Sequence, residues 1–301
     1  MFVRGPGLGR RAFTLWGRAG VAVHAARVGA GVVHGLHVET PPGHVPSVVT
    51  IHDVVPLDHP ASMPSSVRRN VYRRVLATSL RRATRVIVPS PATAGRLAAL
   101  GADPSKVDVI PLGVGPAFRP SSPAERDDAR RRFAGGRRYV VASTGARAHK
   151  NLAGMQQAAA ILSSAGIVAA ATGGSQVDGI RSVGWLDDED LRHFYGGAEA
   201  MVLPALIEGF GLPAVEALAC GVPVVCGPGT GALPYIRPGA LEVDVTRPGE
   251  LAAGILDVVE DDSRRARLVI DGARAASSLT AAGMAAATLA VYERVLAETS
   301  R

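Results

Sequence analysis

Glu208 and Glu216 bracket the string Gly209-Phe210-Gly211-Leu212-Pro213-Ala214-Val215. The string reads as a glycine turn running into a helix. Pro213 suits the first turn of that helix and Gly221 suits its end. Helix starts collect anions, because free N–H groups point outward and the dipole favours negative charge. Two carboxylates beside such a site would repel a bare phosphate. They suit a ligand carrying hydroxyls next to its phosphates, a sugar nucleotide. Acidic residues also occur near helix starts for dipole reasons alone, but the string is longer than that requires.

Lys106 and Lys150 are the only lysines among many arginines. Lys150 follows a predicted strand at a helix entrance, and ligands of open α/β sheets bind beyond the carboxyl ends of strands. An ammonium there, with the Arg147 guanidinium, could clamp a diphosphate and stabilise the charge on a departing group. The competing reading is plain surface charge, although cations at a helix start oppose its dipole. His52 ends a predicted buried strand ahead of Asp53, and a histidine at a strand end is more often structural than facing a ligand. Asp187-Asp188-Glu189-Asp190 could pass for a metal motif, but the spacing reads as an N-cap with an acidic first turn.

These residues need a frame that brings them together. Val32 to His34 and Ser47 to His52 read as buried strands, Pro64 to Arg82 as a helix, Val86 to Val88 as a strand, Ala92 to Leu100 as a helix and Val107 to Pro111 as a strand. That is β-α-β order and implies a parallel sheet. Gly113 to Ala124 is rich in Pro, Gly and Ser and reads as a linker. The alternation then restarts. Tyr139 to Ser143, Ile167 to Ala171, Met201 to Leu203 and Val222 to Cys226 are predicted strands. Helices are predicted over Leu152 to Leu162, Asp188 to Tyr195 and the Glu216 segment, and two or three more close the chain from Leu251. The expected fold class is α/β, with two doubly wound parallel-sheet domains facing across a cleft.

The chain has 301 residues, 47% of them apolar, with 4% aromatics and a formal charge of +7. The length fits one large or two ordinary domains with an aliphatic core. Cys220 and Cys226 fall in or beside a predicted buried strand and imply no disulfide framework. No apolar run approaches the ~20 residues of a spanning helix, and no signal-peptide core is seen at the N-terminus. The expected location is cytoplasmic. Arg68, Arg69, Arg73, Arg74, Arg81, Arg82 and Arg85 crowd one predicted helix and its exit. They read as a solvated face or as contact with an anionic surface. Tyr72 is the only aromatic among them and no nucleic-acid module is recognisable, so no nucleic-acid partner is expected.

Glu208-Gly209-Phe210-Gly211-Leu212-Pro213 with Glu216 resembles the E-x7-E signature of the retaining family-4 glycosyltransferases (glycosyl transferases group 1). Further segments agree in order: Thr50-Ile51-His52-Asp53, Val86 to Ser90, Val109 to Val114, Gly145 to Leu152, Gly184-Trp185-Leu186 and Ala287 to Tyr292. The resemblance covers roughly residues 30 to 299. It implies a GT-B fold and transfer of a hexose, mannose or similar, from a GDP- or UDP-sugar to a hydroxyl acceptor, lipid-linked or saccharide, without a metal or a further cofactor. It gives His52, Arg147, Lys150 and Glu208 to the reaction and Gly209, Phe210, Gly211, Leu212 and Glu216 to the donor. Arg68, Arg69, Arg73, Arg74 and Arg81 would then give peripheral contact with the inner membrane face. The implied domains are 1–116, 117–285 and a final helix, 286–301, packing back on the first domain. The glycine cluster Gly5 to Arg10 lacks the strand that precedes the family's glycine loop, so an incomplete first domain is expected. The alternative function is a sugar-nucleotide-binding protein without transfer.

Overall fold

The structure is a computed structural model that describes residues 20–21, 23–40, 43–173 and 177–299. The Gly5 to Arg10 cluster lies outside the described residues. In chain order the elements are β1 (Val33–Gly35), β2 (Ser47–Thr50), α1 (Val55–Asp58), α2 (Ser66–Arg82), β3 (Arg85–Val88), α3 (Pro91–Ala99) and β4 (Val107–Val109). Then come α4 (Pro123–Ala134), β5 (Tyr139–Ala142), α5 (Leu152–Ser164), β6 (Val168–Ala171), β7 (Ile180–Ser182), α6 (Asp188–Gly196) and β8 (Ala200–Leu203). The chain continues through α7 (Leu212–Ala219), β9 (Val224–Cys226), α8 (Leu233–Ile236), β10 (Ala240–Glu242), α9 (Pro248–Glu260), α10 (Asp262–Ser277) and α11 (Ala281–Thr299).

Every strand pairing is parallel. The first sheet runs β1-β2-β3-β4, and the second runs β10-β9-β8-β5-β6-β7. The second order reverses direction between β5 and β8. That reversal opens a crevice at their carboxyl ends, the place where ligands of such sheets bind.

A parallel sheet is covered on both faces, and its strands read as near-continuous apolar runs. In the second half Tyr139, Val141, Met201 and Leu203 pack on α4, α6 and α7, through Phe133, Phe194 and Leu218 among others. Val140, Ala142, Ala200 and Val202 face the other way, onto Met155 and Leu162 of α5 and Leu251 and Ile255 of α9. In the first half Val49, Ile51, Val86 and Val88 meet Leu76 of α2 and Leu97 of α3. The opposite face, with Val48, Ile87 and Ile110, is closed by Val291 and Val295 of α11.

The last helix therefore returns to the first sheet. It starts at Ala281, earlier than the expected 286, because the return path begins beside the linker. There Val114 bridges Thr280 in parallel, and Val114 N–H donates to Leu279 O at 2.9 Å. Arg294 of α11 meets Asp108 at 2.6 Å. Arg85 joins the same cluster, binding Asp108 through Nε and Nη2 at 3.0 and 2.9 Å. It thus leaves the basic face to which the sequence assigned it.

The linker is also shorter than expected. Ser122 caps α4 and Glu125 answers in a capping box, with Pro123 in the first turn and Gly135 left-handed (φ 63°) at its end. Val295 is fully buried, so Val295→Ala should destabilise the chain by about 2 kcal/mol. Urea unfolding measures this, and an unchanged midpoint would mean that α11 is not docked in solution.

Candidate active site

Lys150 and Glu208 leave the sheet on neighbouring strands. β5 pairs β8 with Val140 opposite Ala200 and Ala142 opposite Val202. The chain turns after β5, and Ala148–Lys150 forms one 3-10 turn. Asn151 closes it in the left-handed region at φ 50°, and its side-chain amide donates to Val245 O at 2.7 Å. So pinned, the turn points Lys150 Nζ at Glu208 Oε1, and the two form an ion pair. An ammonium has three donors. Glu208 takes one and orients the rest, which remain for anionic oxygens. Arg147, at the start of the same turn, is exposed; its carbonyl accepts from Lys150 N–H at 2.9 Å, and its guanidinium makes no hydrogen bond or ion pair among the described residues.

Glu208 N–H donates to Gly229 O at 2.9 Å, which fixes the start of the glycine turn. At Gly209 the two halves touch. A Cβ there would lie 2.1 Å from His52 O and 2.7 Å from Asp53 Cβ. The missing side chain thus admits the first half's own chain at His52 and Asp53. Ser90 Oγ donates to Gly209 O at 2.8 Å, and Thr93 Oγ1 does so at 3.3 Å. Both hydroxyls belong to the first half. Gly211 needs a left-handed φ of 97° to start α7. The N–H groups of Gly209, Phe210 and Gly211 find no acceptor among the described residues. The Phe210 side chain, by contrast, is buried against Tyr235. Leu212 opens α7 and is partly buried.

Glu216 lies inside α7 and accepts from Tyr195 Oη at 3.1 Å. Burial raises its pKa above the ordinary 4.5, with Tyr195 opposing and Asp188 adding to the rise. Burial likewise pushes the thiols of Cys220 and Cys226 up to about 12 and about 11. Both cysteines are free, and such buried thiols are unreactive. Asp187 caps α6 by accepting from Asp190 N–H at 2.9 Å. Arg192, fully buried, is held by Ser121, Glu125 and Glu189 at 3.3, 2.8 and 2.9 Å.

His52 lies two residues beyond the end of β2 (Ser47–Thr50) rather than ending the strand as expected. Its ring is exposed, with Nε2 at 3.2 Å from Leu36 O. Asp53 accepts from Val55 N–H at 3.0 Å and so starts α1. His52 and Arg147 line one cleft between the halves, about 640 Å³ in volume, together with Arg68, Tyr72 and His149. That volume is in the range of small-molecule sites.

Sequence reasoning passed over His149, Ser90 and Thr93. Ser90-Pro91 before a helix was a readable cap, but its second use as a donor to Gly209 needs the two halves side by side. His149 carried no spacing signal.

Two family models match. "Glycosyltransferase Family 4" covers residues 3–118 and includes His52. "Glycosyl transferases group 1" covers residues 175–274 and includes Glu208 and Glu216. Arg147 and Lys150 fall between the two matches. The O-antigen chain mannosyltransferase B of Escherichia coli is 40% identical over 92 residues, which are 31% of this chain and 24% of that protein. Across the first curated relatives that it matches, the chain spans 24 to 45% of their length.

Among solved structures, sucrose-phosphate synthase from Thermosynechococcus elongatus superposes with a TM-score of 0.75 at 20% identity, covering 92% of this chain and 76% of that one. Anabaena HepE in complex with UDP and glucose gives 0.73 at 16% identity, covering 97% and 84%. These likenesses fix the fold as GT-B.

A raised carboxyl pKa means that the folded chain holds a proton the unfolded chain has lost. Stability from this group is therefore present below pH 4.5 and falls as pH rises through the raised value. Glu216→Gln removes that loss and keeps an acceptor for Tyr195. Its melting temperature should exceed the wild type's near pH 7, with the gap closing toward pH 4.5. A gap independent of pH would show that Glu216 ionises normally.

Proposed function

We propose that this chain, which belongs to the family-4 (group 1) glycosyltransferases, moves a hexose from a nucleoside-diphosphate sugar to a hydroxyl acceptor with retention at the anomeric carbon. The observation that carries the reading is the Lys150–Glu208 pair at the crevice between β5 and β8, with Arg147 and His52 on one cleft.

The donor diphosphate lies against Arg147 and Lys150. As the glycosidic C–O bond breaks, its electron pair moves to the leaving phosphate, and fixed cations stabilise that charge without reorganising. Glu208, already on Lys150, accepts from a sugar hydroxyl. The free N–H groups of Gly209, Phe210 and Gly211 donate to sugar and phosphate oxygens, and Glu216 accepts from the ribose hydroxyls. His52 approaches the sugar from the first half. The acceptor oxygen attacks the face that the nucleotide leaves, and the departing phosphate takes its proton. No side chain is assigned as a covalent nucleophile; Glu208 is engaged by Lys150 and Asp53 by Val55 N–H.

HepE is seen in complex with UDP and glucose, and the Escherichia coli relative is a mannosyltransferase. Both support a nucleoside-diphosphate hexose donor, with mannose or glucose the first sugars to test. The decisive experiment presents UDP-glucose and GDP-mannose with saccharide acceptors. It follows nucleoside diphosphate release and the product anomer by NMR. Lys150→Ala and Glu208→Gln should each lower turnover by about ten- to hundredfold, the scale of one charge-assisted contact. Nucleotide binding without release would favour a binding protein over a transferase. An inverted anomer would overturn retention.

The acceptor is proposed to be saccharide or lipid-linked, met by the protein at the inner face of a membrane. α2 presents Arg68, Arg69, Arg73, Arg74 and Arg81, none with a carboxylate in ion-pair reach among the described residues. Val67 and Val71 stand exposed at 69% and 53% on the same helix. No helix among the described residues is long and apolar enough to cross a membrane, so the contact proposed is peripheral. Each arginine near an anionic surface contributes about 1 kcal/mol. Vesicles with phosphatidylglycerol should sediment the wild type and release an Arg73→Glu/Arg74→Glu variant. Equal sedimentation of both would remove the membrane from the proposal.

A further inference from the structure

The turn bearing Arg147 and Lys150 also carries a residue that the proposed transfer leaves unused. His149 is 4% exposed. Its Nδ1 lies 2.8 Å from Ser62 Oγ, and Ser62 belongs to the Pro60–Ser62 turn of the first half. The same hydroxyl lies 3.3 Å from His59 Nδ1, and the two imidazoles meet edge-on with centroids 6.4 Å apart. A hydroxyl has one proton and two lone pairs, so Ser62 can donate to one ring and accept from the other.

The main chain of His149 is tied separately. Its carbonyl accepts from Leu206 N–H at 2.8 Å, just ahead of Glu208. On the first-half side, the Pro60–Ser62 turn follows α1, which Asp53 starts beside His52. One hydrogen bond thus joins the segment holding His52 to the turn holding the two cations. Burial, first, and the neighbouring Lys150 hold the His149 pKa below its ordinary value, so the ring is a neutral partner for the hydroxyl.

We propose that His149 is a positioning residue that, through Ser62, registers the first half against the Arg147–Lys150 turn, so that His52 faces the sugar whose diphosphate those cations hold. The proposal rests on the transfer reading above. It requires the side chain to act on the alignment of the halves, while the main-chain bond to Leu206 keeps the donor cradle intact.

The test is a double-mutant cycle with Ser62→Ala, His149→Ala and both, plus His149→Asn, whose amide can reach the same hydroxyl. Ser62→Ala is the gentler change and guards against a folding defect at His149. Each single change should lower kcat for transfer by about tenfold, the scale of a small misalignment of reacting groups. The dissociation constant for UDP or GDP should move less than about threefold. The double variant should be no worse than the poorer single one, because the two residues act as a unit. His149→Asn should recover turnover in the Ser62 background and not in the Ser62→Ala background.

Additive losses, or a Ser62→Ala enzyme with wild-type kcat, would overturn the proposal. Parallel losses in kcat, nucleotide affinity and melting temperature, without rescue, would reduce His149 to a structural residue and overturn it as well. If the wild type transfers no sugar, the transfer reading falls. Amide exchange then decides the contact: joint loss of protection at residues 59–62 and 146–150 in Ser62→Ala supports the link between the halves, and unchanged protection overturns it.

Discussion

A parallel sheet has no face that can be left to water, and most of this architecture follows from that constraint. In the second half the chain satisfies it locally, with α4, α6 and α7 on one face and α5 and α9 on the other. In the first half it does so at long range. The face carrying Val48, Ile87 and Ile110 is covered by Val291 and Val295, from the last helix of the chain. The two halves are therefore joined twice, once by the linker and once by the return, and the two crossings pair as Val114 with Thr280. Two adjacent crossings limit how the halves can move and keep their carboxyl edges facing.

The same topology makes the site. Lys150 and Glu208 are distant in sequence, but the reversal of strand order sets β5 against β8. Their exits then lie side by side. Gly209 lets the first half come into backbone contact at His52, and the hydroxyls of Ser90 and Thr93 hold it there. Charge is distributed unevenly across this contact. Glu208 is engaged by Lys150, whereas the exposed Arg147 keeps all its donors available on the cleft.

Where the sequence reading went astray, the cause was generally a partner that local pattern does not reveal. Arg85 follows a run of arginines and reads as one of them, yet Asp108 on the neighbouring strand captures it. β7 and β10 are short edge strands whose residues carry weak alternation, and only pairing with β6 and β9 defines them. The helix α4 is a different case. Ser122-Pro123 with Glu125 is a legible capping box, hidden because the stretch before it is rich in proline and glycine. Arg192 looks like an ordinary helix charge and is fully buried instead, because Ser121 and Glu125, from around the start of α4, reach it together with Glu189 on its own helix.

What the sequence determined by itself was local. It set the alternation of aliphatic strands with capped helices, the glycine turn into α7, and the acidic cap of α6. Short-range sterics and hydrogen bonding dictate these wherever the segment sits. From such segments alone the parallel α/β class and the family motifs were readable. The tertiary structure decided which chemical groups meet. It paired Lys150 with Glu208, turned Gly209 toward His52 rather than toward open space, and buried His149 against Ser62. Those contacts depend on strand order and on the return of α11, and both arise from covering two sheets on all their faces. No window of residues contains that information, because the apolar surface that enforces it is assembled from both ends of the chain.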